Sequence, residues 1–386
     1  MLRKCYCSVF FVNKTLFQKN YNTLICYLVR SRLLSAGEKG LEKNVEHGIM
    51  KKKYDAIDLL KLVGSILIFS MHIGALRSVG EPLHFYGVQL LARWGVPFFF
   101  LASSFFLFSK GTNGTVSREQ LKRYTIRILA LYALWFVFNI PQILDTWFLS
   151  RDLTSVTTWV MIAKEWMISN SFLGSWYLLS CVFSAWIVSM MGRKLTDRTI
   201  LAITALMYLL CVLTSLYHGL LPKQMTRFLY FTPYNSIICG CFFFAIGKYA
   251  AKNRERLSGI PGGLCLLLGL ISFALYYVEV ILVDKWIGAG ATDAAFMLIP
   301  ASFFLFLFAV NSSVRISTAP WMRRISTIIY CCQGMVIFSA TLLCDKLIHT
   351  QHTLIITAVA WVLIGAVILA VDLLQKTKLP WTGYLT

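Results

Sequence analysis

Four polar residues, Asp58, Lys61, Ser65 and His72, interrupt an otherwise apolar stretch of the chain. They follow one another at steps of three, four and seven residues, so in an α-helix their side chains project from one face. Ionisable groups inside an apolar membrane helix usually face the protein interior or a wet cavity. A histidine there can serve as a general base or form a covalent intermediate. The stretch therefore predicts an active-site helix.

The next apolar stretch contains an arginine close to a proline. Arg93 lies four residues before Pro97. Because proline has no N–H group, it cannot bond the carbonyl group of Arg93, and its ring bends the helix there. We therefore expect a kink, a carbonyl oxygen without its helical partner and a buried cation at one place. The hydroxyl groups of Ser103 and Ser104 follow about one to two turns further on.

The composition is typical of a membrane protein. Hydrophobic residues make up 58% of the 386 residues and charged residues 14%, whereas a soluble domain has about a quarter charged residues. The mean hydropathy is +0.67. The net charge of +20 would suggest nucleic-acid binding in a soluble protein, but here it predicts membrane orientation, and no nucleic-acid partner is expected. The 11 cysteines show no metal-ligand spacing, so we expect small apolar residues and no metal site.

Ten apolar segments are candidates to cross the lipid bilayer. They lie at about 56–75, 86–108, 126–144, 176–191, 200–217, 236–251, 263–283, 294–310, 325–344 and 354–374. Segments of this length and composition predict helices that cross the bilayer. The expected fold is therefore an all-α integral membrane protein with about ten transmembrane helices.

The basic residues of the loops predict the orientation of these spans. If the first helix starts in the cytoplasm, 20 Lys and Arg residues lie in inner loops (51–53, 110–127, 193–198, 248–256, 315–324 and 376–378) and seven in outer loops. Lys and Arg are concentrated on the cytoplasmic side of membrane proteins. We therefore expect both termini in the cytoplasm. His72 then lies near the outer end of its helix, about 16 Å from Lys61.

Residues 1–49 differ from the rest of the chain. Their apolar runs, such as residues 24–29, are too short to cross a membrane and lie between Lys and Arg residues. Met50 then opens a Met-Lys-Lys-Lys-Tyr-Asp start to the first helix. We predict that residues 1–49 are a basic extension, disordered or absent from the native protein. Residues 50–376 would form the membrane domain, and residues 377–386 a short cytoplasmic tail.

Residues 51–374 resemble acyltransferase family three, integral-membrane enzymes that O-acylate bacterial surface glycans. Residues 57–61 (Ile-Asp-Leu-Leu-Lys), ten further residues and His72 are similar to a family motif, Ile-Asp-Gly-Leu-Arg with a histidine after ten residues. Arg93 and residues 96–99 (Val-Pro-Phe-Phe) are similar to a second motif. Residues 176–178 (Trp-Tyr-Leu) resemble its Leu-Trp-Phe-Leu motif more weakly.

The chain also departs from the family pattern. Lys61 replaces an arginine, and residues 102–104 (Ala-Ser-Ser) replace a Ser-Gly pair. Gly174 stands where many members have histidine. Residues 329–333 (Ile-Tyr-Cys-Cys-Gln) resemble the family's Ile-Tyr-Leu-Ile-His, with Gln333 in place of the histidine. These departures leave open an inactive relative that has kept the fold.

The resemblance implies transfer of an acyl group, acetyl in the first instance, from cytoplasmic acyl-CoA to a hydroxyl group of a glycan outside a bacterial inner membrane. No bound cofactor is expected. His72 would be the general base or the acyl carrier, and Lys61 and Arg93 would offset thiolate or oxyanion charge. The predicted substrate-binding residues are Asp58, Ser65, Ser104, Arg123, Arg127, Trp176 and Tyr177.

Several of these assignments have alternatives. Arg123 and Arg127 belong to the densest basic loop, where they would hold the phosphates of acyl-CoA or only mark the inner side. Trp176 and Tyr177 are either a sugar platform or part of an interfacial aromatic belt. A transporter or glycan flippase is the rival from another class. Such folds often carry inverted repeats, and the later half of the chain shows no second copy of either motif. The oligomeric state is left open.

Overall fold

The structure, a computed structural model, describes residues 54–111, 114–167, 171–222, 232–377 and 380–385. This part of the chain is all-helical, as predicted. The proposed boundary at Met50 and the extension 1–49 lie outside the described residues.

The longer helices are bounded as follows: α1 Asp55–His72, α2 Gly95–Phe108, α3 Arg118–Phe138, α4 Val156–Met167, α5 Ser175–Met191, α6 Asp197–Thr214, α7 Ile237–Lys252, α8 Gly262–Ile287, α9 Leu298–Asn311, α10 Ala319–Leu343 and α11 Thr353–Lys376. Short helical pieces are Glu81–His84, Phe85–Gln89, Leu90–Ala92, Ile140–Leu144, Asp145–Leu149, His218–Leu220, Pro233–Asn235, Arg254–Ser258, Cys344–Ile348 and Pro380–Tyr384.

Each of the ten predicted segments overlaps at least one of these helices, and segments 86–108 and 126–144 each extend over more than one helical piece. Within the described residues, five helices are long and apolar enough to cross a membrane, and a sixth span results if α3 and the pieces after it are counted together. Helix α1 is not among them, and its 18 residues include Asp55, Asp58 and Lys61. The chain is thus a membrane protein with five to six candidate spans, and the count of ten stays a prediction. Helix α4 was not predicted.

Two helices are broken where polar or proline residues lie. The helix that carries Arg93 is interrupted at Arg93 and Trp94 and restarts at Gly95, as the spacing to Pro97 predicts. Helix α3 ends at Phe138, and after Asn139 the chain turns by 72° into Ile140–Leu149. Both breaks place polar groups inside the helical bundle.

The helices approach one another closely at two glycines. A Cβ atom at Gly95 would lie 2.9 Å from Cδ1 of Ile68, so α1 and α2 approach closely. A Cβ atom at Gly247 on α7 would lie 2.6 Å from the Cβ atom of Ser104 on α2. Small residues allow such close approach of membrane helices. The packing of α2 therefore depends on glycines of its own and of α7.

Gly247→Ala is expected to lower the free energy of unfolding by about 1–3 kcal/mol, because the new methyl group overpacks this contact. Thermal unfolding of the purified protein in detergent measures the change. Gly365→Ala in α11 is the matched control, since a Cβ atom there has no neighbour within 4 Å. Equal stability of the two variants would show that the α2–α7 contact yields without cost.

The predicted inner loops meet at one end of the bundle. Asp55 accepts a hydrogen bond from the backbone N–H of Ile316 (3.0 Å), and Arg324 pairs with Asp372. Lys252 packs against the loop at Gly114, where a Cβ atom would lie 3.1 Å away. This arrangement fits alternating spans. Which end faces the cytoplasm stays a prediction.

The end of the chain packs against the bundle. Leu385 is fully buried, and its carbonyl group accepts a hydrogen bond from Nε1 of Trp135 on α3 (3.3 Å). Gln375 donates to the carbonyl group of Thr382 (3.3 Å). The described part of the predicted tail is therefore a docked segment.

Candidate active site

A cavity of about 80 Å³ lies between the end of α1, the break before α2 and the start of α5. Its polar and charged lining residues are His72, Arg93, Tyr234, Asn235, Asp293 and Tyr330, with Trp176 and Cys239 beside them. Two of the three predicted catalytic residues, His72 and Arg93, therefore share one cavity, although they come from different helices.

His72 is the last residue of α1 and is exposed. The chain turns directly after it, with Gly74 and Leu76 both at positive φ. The buried ring of His84 holds this turn through a hydrogen bond with the carbonyl group of Ala75 (2.7 Å). None of the side chains in the described ranges hydrogen-bonds the His72 ring, so it can reorient toward a substrate.

Arg93 is held by a loop distant in sequence. Its Nε atom donates to the hydroxyl oxygen of Thr292 (3.1 Å), and its Nη1 atom donates to Oδ1 of Asp293 (2.5 Å). The two charged side chains are only 12% and 22% exposed. Ion pairs of this kind resist screening by salt and fix the arginine geometrically. The guanidinium group is therefore oriented at the cavity before any substrate binds.

The loop that carries Thr292 and Asp293 is itself anchored. The hydroxyl group of Ser215 donates to the carbonyl group of Ala291 (2.7 Å) and accepts from the N–H group of Ala294 (3.0 Å). Tyr276 of α8 donates to the carbonyl group of Thr292 (3.0 Å). The position of Arg93 thus depends on the C-terminal end of α6 and on the middle of α8.

Tyr234 contributes a neutral hydroxyl group to the cavity. Burial raises the pKa of Tyr234, the Asp293 carboxylate adds to the rise, and the Arg93 guanidinium opposes it. Trp176, predicted as a substrate contact, is 8% exposed and lines the same cavity. An aromatic face beside hydroxyl and amide groups suits a sugar ring.

Lys61, the third predicted catalytic residue, does not line the cavity. It is separated from His72 by eleven residues of one helix, about 16 Å. Its ammonium group lies 5.7 Å from the ring centroid of Phe106, a cation–π contact. Lys61 therefore cannot stabilise the same reacting atom as His72 in this arrangement.

Asp58 is 2% exposed and is engaged by Arg323 of α10. Arg323 donates from Nε to Oδ1 (2.9 Å) and from Nη2 to Oδ2 (2.6 Å). This two-point pair fastens α1 to α10 and lies outside the cavity. The structure thus gives Asp58 a structural contact, and its predicted substrate contact is not among those that the cavity brings together.

Asp58→Asn is expected to lower the free energy of unfolding by about 1–3 kcal/mol, since it removes the charge from two charge-assisted hydrogen bonds. The partner side chain of Arg323 is 61% exposed, which keeps the loss moderate. Thermal unfolding measures it, with the exposed Asp345→Asn as control. A loss of function at unchanged stability would instead support the predicted substrate contact.

The two predicted serines use their hydroxyl protons inside the bundle. Ser65 donates to the carbonyl group of Leu62 one turn earlier (2.9 Å). Ser104 donates to the carbonyl group of Phe244 on α7 (2.6 Å) and is fully buried. Neither lines the cavity. Both serines therefore stabilise helices in this structure, in contrast to the predicted contact with a reacting oxyanion.

The remaining predicted substrate contacts also lie outside the cavity. Arg123 is exposed and pairs with Glu119 on the same helix (3.2 Å). Arg127 is exposed on the next turn of α3. Tyr177 packs its ring against Phe100 (4.7 Å between centroids). The two arginines thus lie on the protein surface at the far end of the bundle from the cavity, whereas Tyr177 packs in the interior.

Comparison with known proteins gives the family. A family model described as an acyltransferase domain matches residues 54–373. The chain belongs to acyltransferase family three. It is a multi-pass membrane protein with several apolar helices. Within this member of the family, His72 and Arg93 come from the two motifs that resemble the family pattern and meet at the cavity.

Two curated relatives of this acyltransferase-family chain come from Enterococcus faecalis, and both are named amino-acid racemase. One is 22% identical over 329 residues, which cover 79% of this chain and 42% of the relative. The other is 20% identical over 278 residues, which cover 68% of this chain and 38% of the relative. The match thus spans less than half the length of either relative. No solved structure matches the chain.

Asp293, Thr292, Tyr234 and Asn235 are cavity or cavity-supporting residues that the sequence interpretation missed. The signal for Asp293 was an acidic residue directly before the apolar segment at 294–310. Its partner Arg93 lies 200 positions away. Pairing at such a separation follows from the helix arrangement and has no local pattern.

Proposed function

We propose that this protein transfers an acyl group, acetyl in the first instance, from acyl-CoA in the cytoplasm to a hydroxyl group of a glycan outside a bacterial inner membrane. The observation that carries the proposal is the cavity where His72, Arg93 and Trp176 meet. Membership of an acyltransferase family supports the reaction type. The glycan and the bacterial inner membrane rest on the resemblance of the motifs.

His72 acts as the base in the proposed reaction. The imidazole ring takes the proton of the acceptor hydroxyl group while the hydroxyl oxygen attacks the thioester carbonyl carbon. The tetrahedral oxyanion collapses, the carbon–sulfur bond breaks, and the CoA thiolate leaves and takes up the proton. A second route attaches the acyl group to the ring first and passes it to the acceptor afterwards. Both routes need an unpaired imidazole at the cavity.

Arg93 stabilises the oxyanion. Two of its N–H groups are used by Thr292 and Asp293, and a guanidinium group has five. The others can point at a developing negative charge in the cavity. Because the pair with Asp293 is already formed, little reorganisation is needed during the reaction.

The opposite end of the bundle provides the donor site. Exposed basic residues of α3 and its preceding loop are Lys110, Arg118, Lys122, Arg123 and Arg127. Arginine and lysine side chains at a helix N-terminus suit the phosphate groups of acyl-CoA. Lys61 lies between this end and His72, where it offsets the charge of a donor that reaches inward.

The proposal is tested with the full-length protein in liposomes that contain acetyl-CoA labelled in its acetyl group. Cell-envelope polysaccharide and monosaccharides are added outside. We expect label on the outer glycan, and none in liposomes without protein. If no glycan is labelled, whether acetyl-CoA is supplied inside or outside the liposomes, the proposal that the protein transfers acyl groups to glycans is wrong. Passage of unlabelled glycan without acetyl-CoA would favour the transporter alternative.

The proposed orientation has its own test. Single cysteines at positions 164, 193 and 254 are treated with a membrane-impermeant maleimide in whole cells and in inverted vesicles. Position 164 is expected to react from outside, and positions 193 and 254 only from inside, because they lie in outer and inner loops respectively. One reversed position would break the ten-span arrangement.

An inactive relative is the second candidate. It is favoured by Gly174 and Gln333, which stand where the family pattern has histidines. The racemase name of the two relatives does not extend to this chain, since more than half of each relative lies outside the match.

A further inference from the structure

Gln333 of α10 has an unsatisfied acceptor in the protein interior. Its side chain is fully buried, and Nε2 donates to the carbonyl group of Leu173 (3.3 Å). Because a carbonyl oxygen only accepts, this contact identifies the nitrogen of the amide. Its Oε1 atom has no hydrogen-bond partner among the described residues. Buried acceptors of this kind normally have a donor, and a hydroxyl group of a bound ligand is able to supply one.

Gln333 lies directly behind one wall of the cavity. The wall is formed by Leu173, Gly174 and Tyr330. Gly174 has a φ of +84°, and a Cβ atom there would lie 2.4 Å from Nε2 of Gln333. Tyr330 donates to the carbonyl group of Gly174 (2.9 Å). The lack of a side chain at Gly174 is thus what gives Gln333 its position beside the cavity.

A second amide has the same unsatisfied chemistry. Oε1 of Gln142 is also buried without a partner among the described residues, while its Nε2 atom donates to Thr146 (3.0 Å). A Cβ atom at Gly334, next to Gln333, would lie 3.1 Å from this oxygen. The unsatisfied oxygen of Gln142 therefore lies beside Gly334, the residue that follows Gln333 on α10.

Asn139 fixes this step of α10. Its Oδ1 atom accepts from the N–H group of Met335 (2.9 Å), and its Nδ2 atom donates to the carbonyl group of Cys331 (3.2 Å). These backbone groups are four residues apart and would bond each other in a regular helix. Asn139 is therefore satisfied, and it holds the backbone on both sides of Gln333.

We propose that Gln333, with Gln142, forms an acceptor subsite that binds a second hydroxyl group of the glycan, next to the one that is acylated. Neutral carbonyl oxygens take O–H donors and repel carboxylate and phosphate groups. The subsite therefore reads a polyhydroxylated ring and selects which hydroxyl group reaches His72. This inference rests on the proposed function, because it specifies the acceptor of that reaction.

The test compares wild type with Gln333→Met, which keeps the side-chain volume and removes the amide. Full-length protein in detergent receives labelled acetyl-CoA and a panel of monosaccharides with their monodeoxy analogues. We expect the KM for the best sugar to rise about tenfold in the variant, with the KM for acetyl-CoA unchanged. One deoxy analogue is expected to have a higher KM than its parent sugar with the wild-type protein. With the Gln333→Met protein, the analogue and the parent sugar should have the same KM.

Ser302→Ala is the matched control, since Ser302 on α9 is also fully buried with an unpartnered hydroxyl group and lies outside the cavity. Its sugar KM is expected to equal that of wild type. Sugar binding is also measured without donor, as the rise in unfolding temperature that each sugar causes. If Gln333→Met does not fold, Gln142→Met replaces it.

The outcomes separate the two proposals. If sugars stabilise wild type but not the variant, and nothing is acetylated, the subsite stands and the proposed function fails. If wild type acetylates a sugar and Gln333→Met does so with the same KM and the same deoxy pattern, the subsite is wrong and the proposed function stands. If no sugar of the panel stabilises or reacts with wild type, both are overturned.

Discussion

Alanine in place of His72 is expected to slow acyl transfer by about 10²–10⁴-fold, the usual contribution of a general base. Among the residues that line the described cavity, Asp293 is paired with Arg93. Tyr234 keeps its proton, since burial raises its pKa. His72 is thus the group left to accept the proton of an acceptor hydroxyl group. The loss should fall on kcat, because the ring lies away from the proposed donor site at the far end of the bundle.

His352→Ala is the control for His72→Ala. His352 is exposed, precedes α11 and makes no capping hydrogen bond with its side chain. It is expected to leave both the rate and the unfolding temperature unchanged. The measurement is the initial rate of label transfer from acetyl-CoA to glycan at saturating donor. If a folded His72→Ala protein transfers label at the wild-type rate, His72 is not the general base.

The sequence predicted the parts of this site that depend on local pattern. The break at Arg93 follows from Pro97 four residues later, and the helical spacing in α1 correctly placed His72 at the end of an apolar helix. The sequence also predicted that His72 and Arg93 lie at a similar depth. They do so because they belong to consecutive antiparallel helices, which bring the end of α1 close to the break before α2. Local periodicity and proline chemistry were sufficient for this much.

The partners of these residues could not be predicted in the same way. Asp58 was placed on the face of Lys61, yet its carboxylate pairs with Arg323, 265 positions away. Ser104 donates to the carbonyl group of Phe244, 140 positions away. A side chain on an interior helical face can contact any neighbouring helix, and one sequence does not say which neighbour lies there. Polar residues spaced along one helical face therefore predict which side chains are buried better than they predict the partners of those side chains.

Two departures from the family pattern illustrate the same point. Gly174 and Gln333 are far apart in sequence and were each interpreted as a lost histidine. In the structure they touch, and a side chain at position 174 would collide with the Gln333 amide. The two positions thus belong to one contact beside the cavity wall. The sequence does not show that these two residues are in contact, and only the structure does.

Arg93→Gln is expected to slow acyl transfer by about 10²–10³-fold, the usual cost of removing one donor to an oxyanion. Arg93→Lys should recover only part of the rate, because an ammonium group cannot bond Thr292 and Asp293 in the geometry of a guanidinium fork. Asp293→Asn should also lower kcat, with a smaller change in KM, since it loosens Arg93 without removing its donors. Initial rates over a range of donor and acceptor concentrations separate these effects.

The coupling between Arg93 and His72 is the sharpest test of a shared site. If both act on one step of the reaction, the second substitution removes little that the first has left, so His72→Ala with Arg93→Gln should be about as slow as the slower single variant. If the two residues act independently, their effects multiply, and the double variant is slower by about a further 10²-fold or more. The control pair is His352→Ala with Arg93→Gln, which should match Arg93→Gln alone. If the effects of His72→Ala and Arg93→Gln multiply, the two residues line one cavity but do not act on the same reaction step. The proposed mechanism would then be withdrawn.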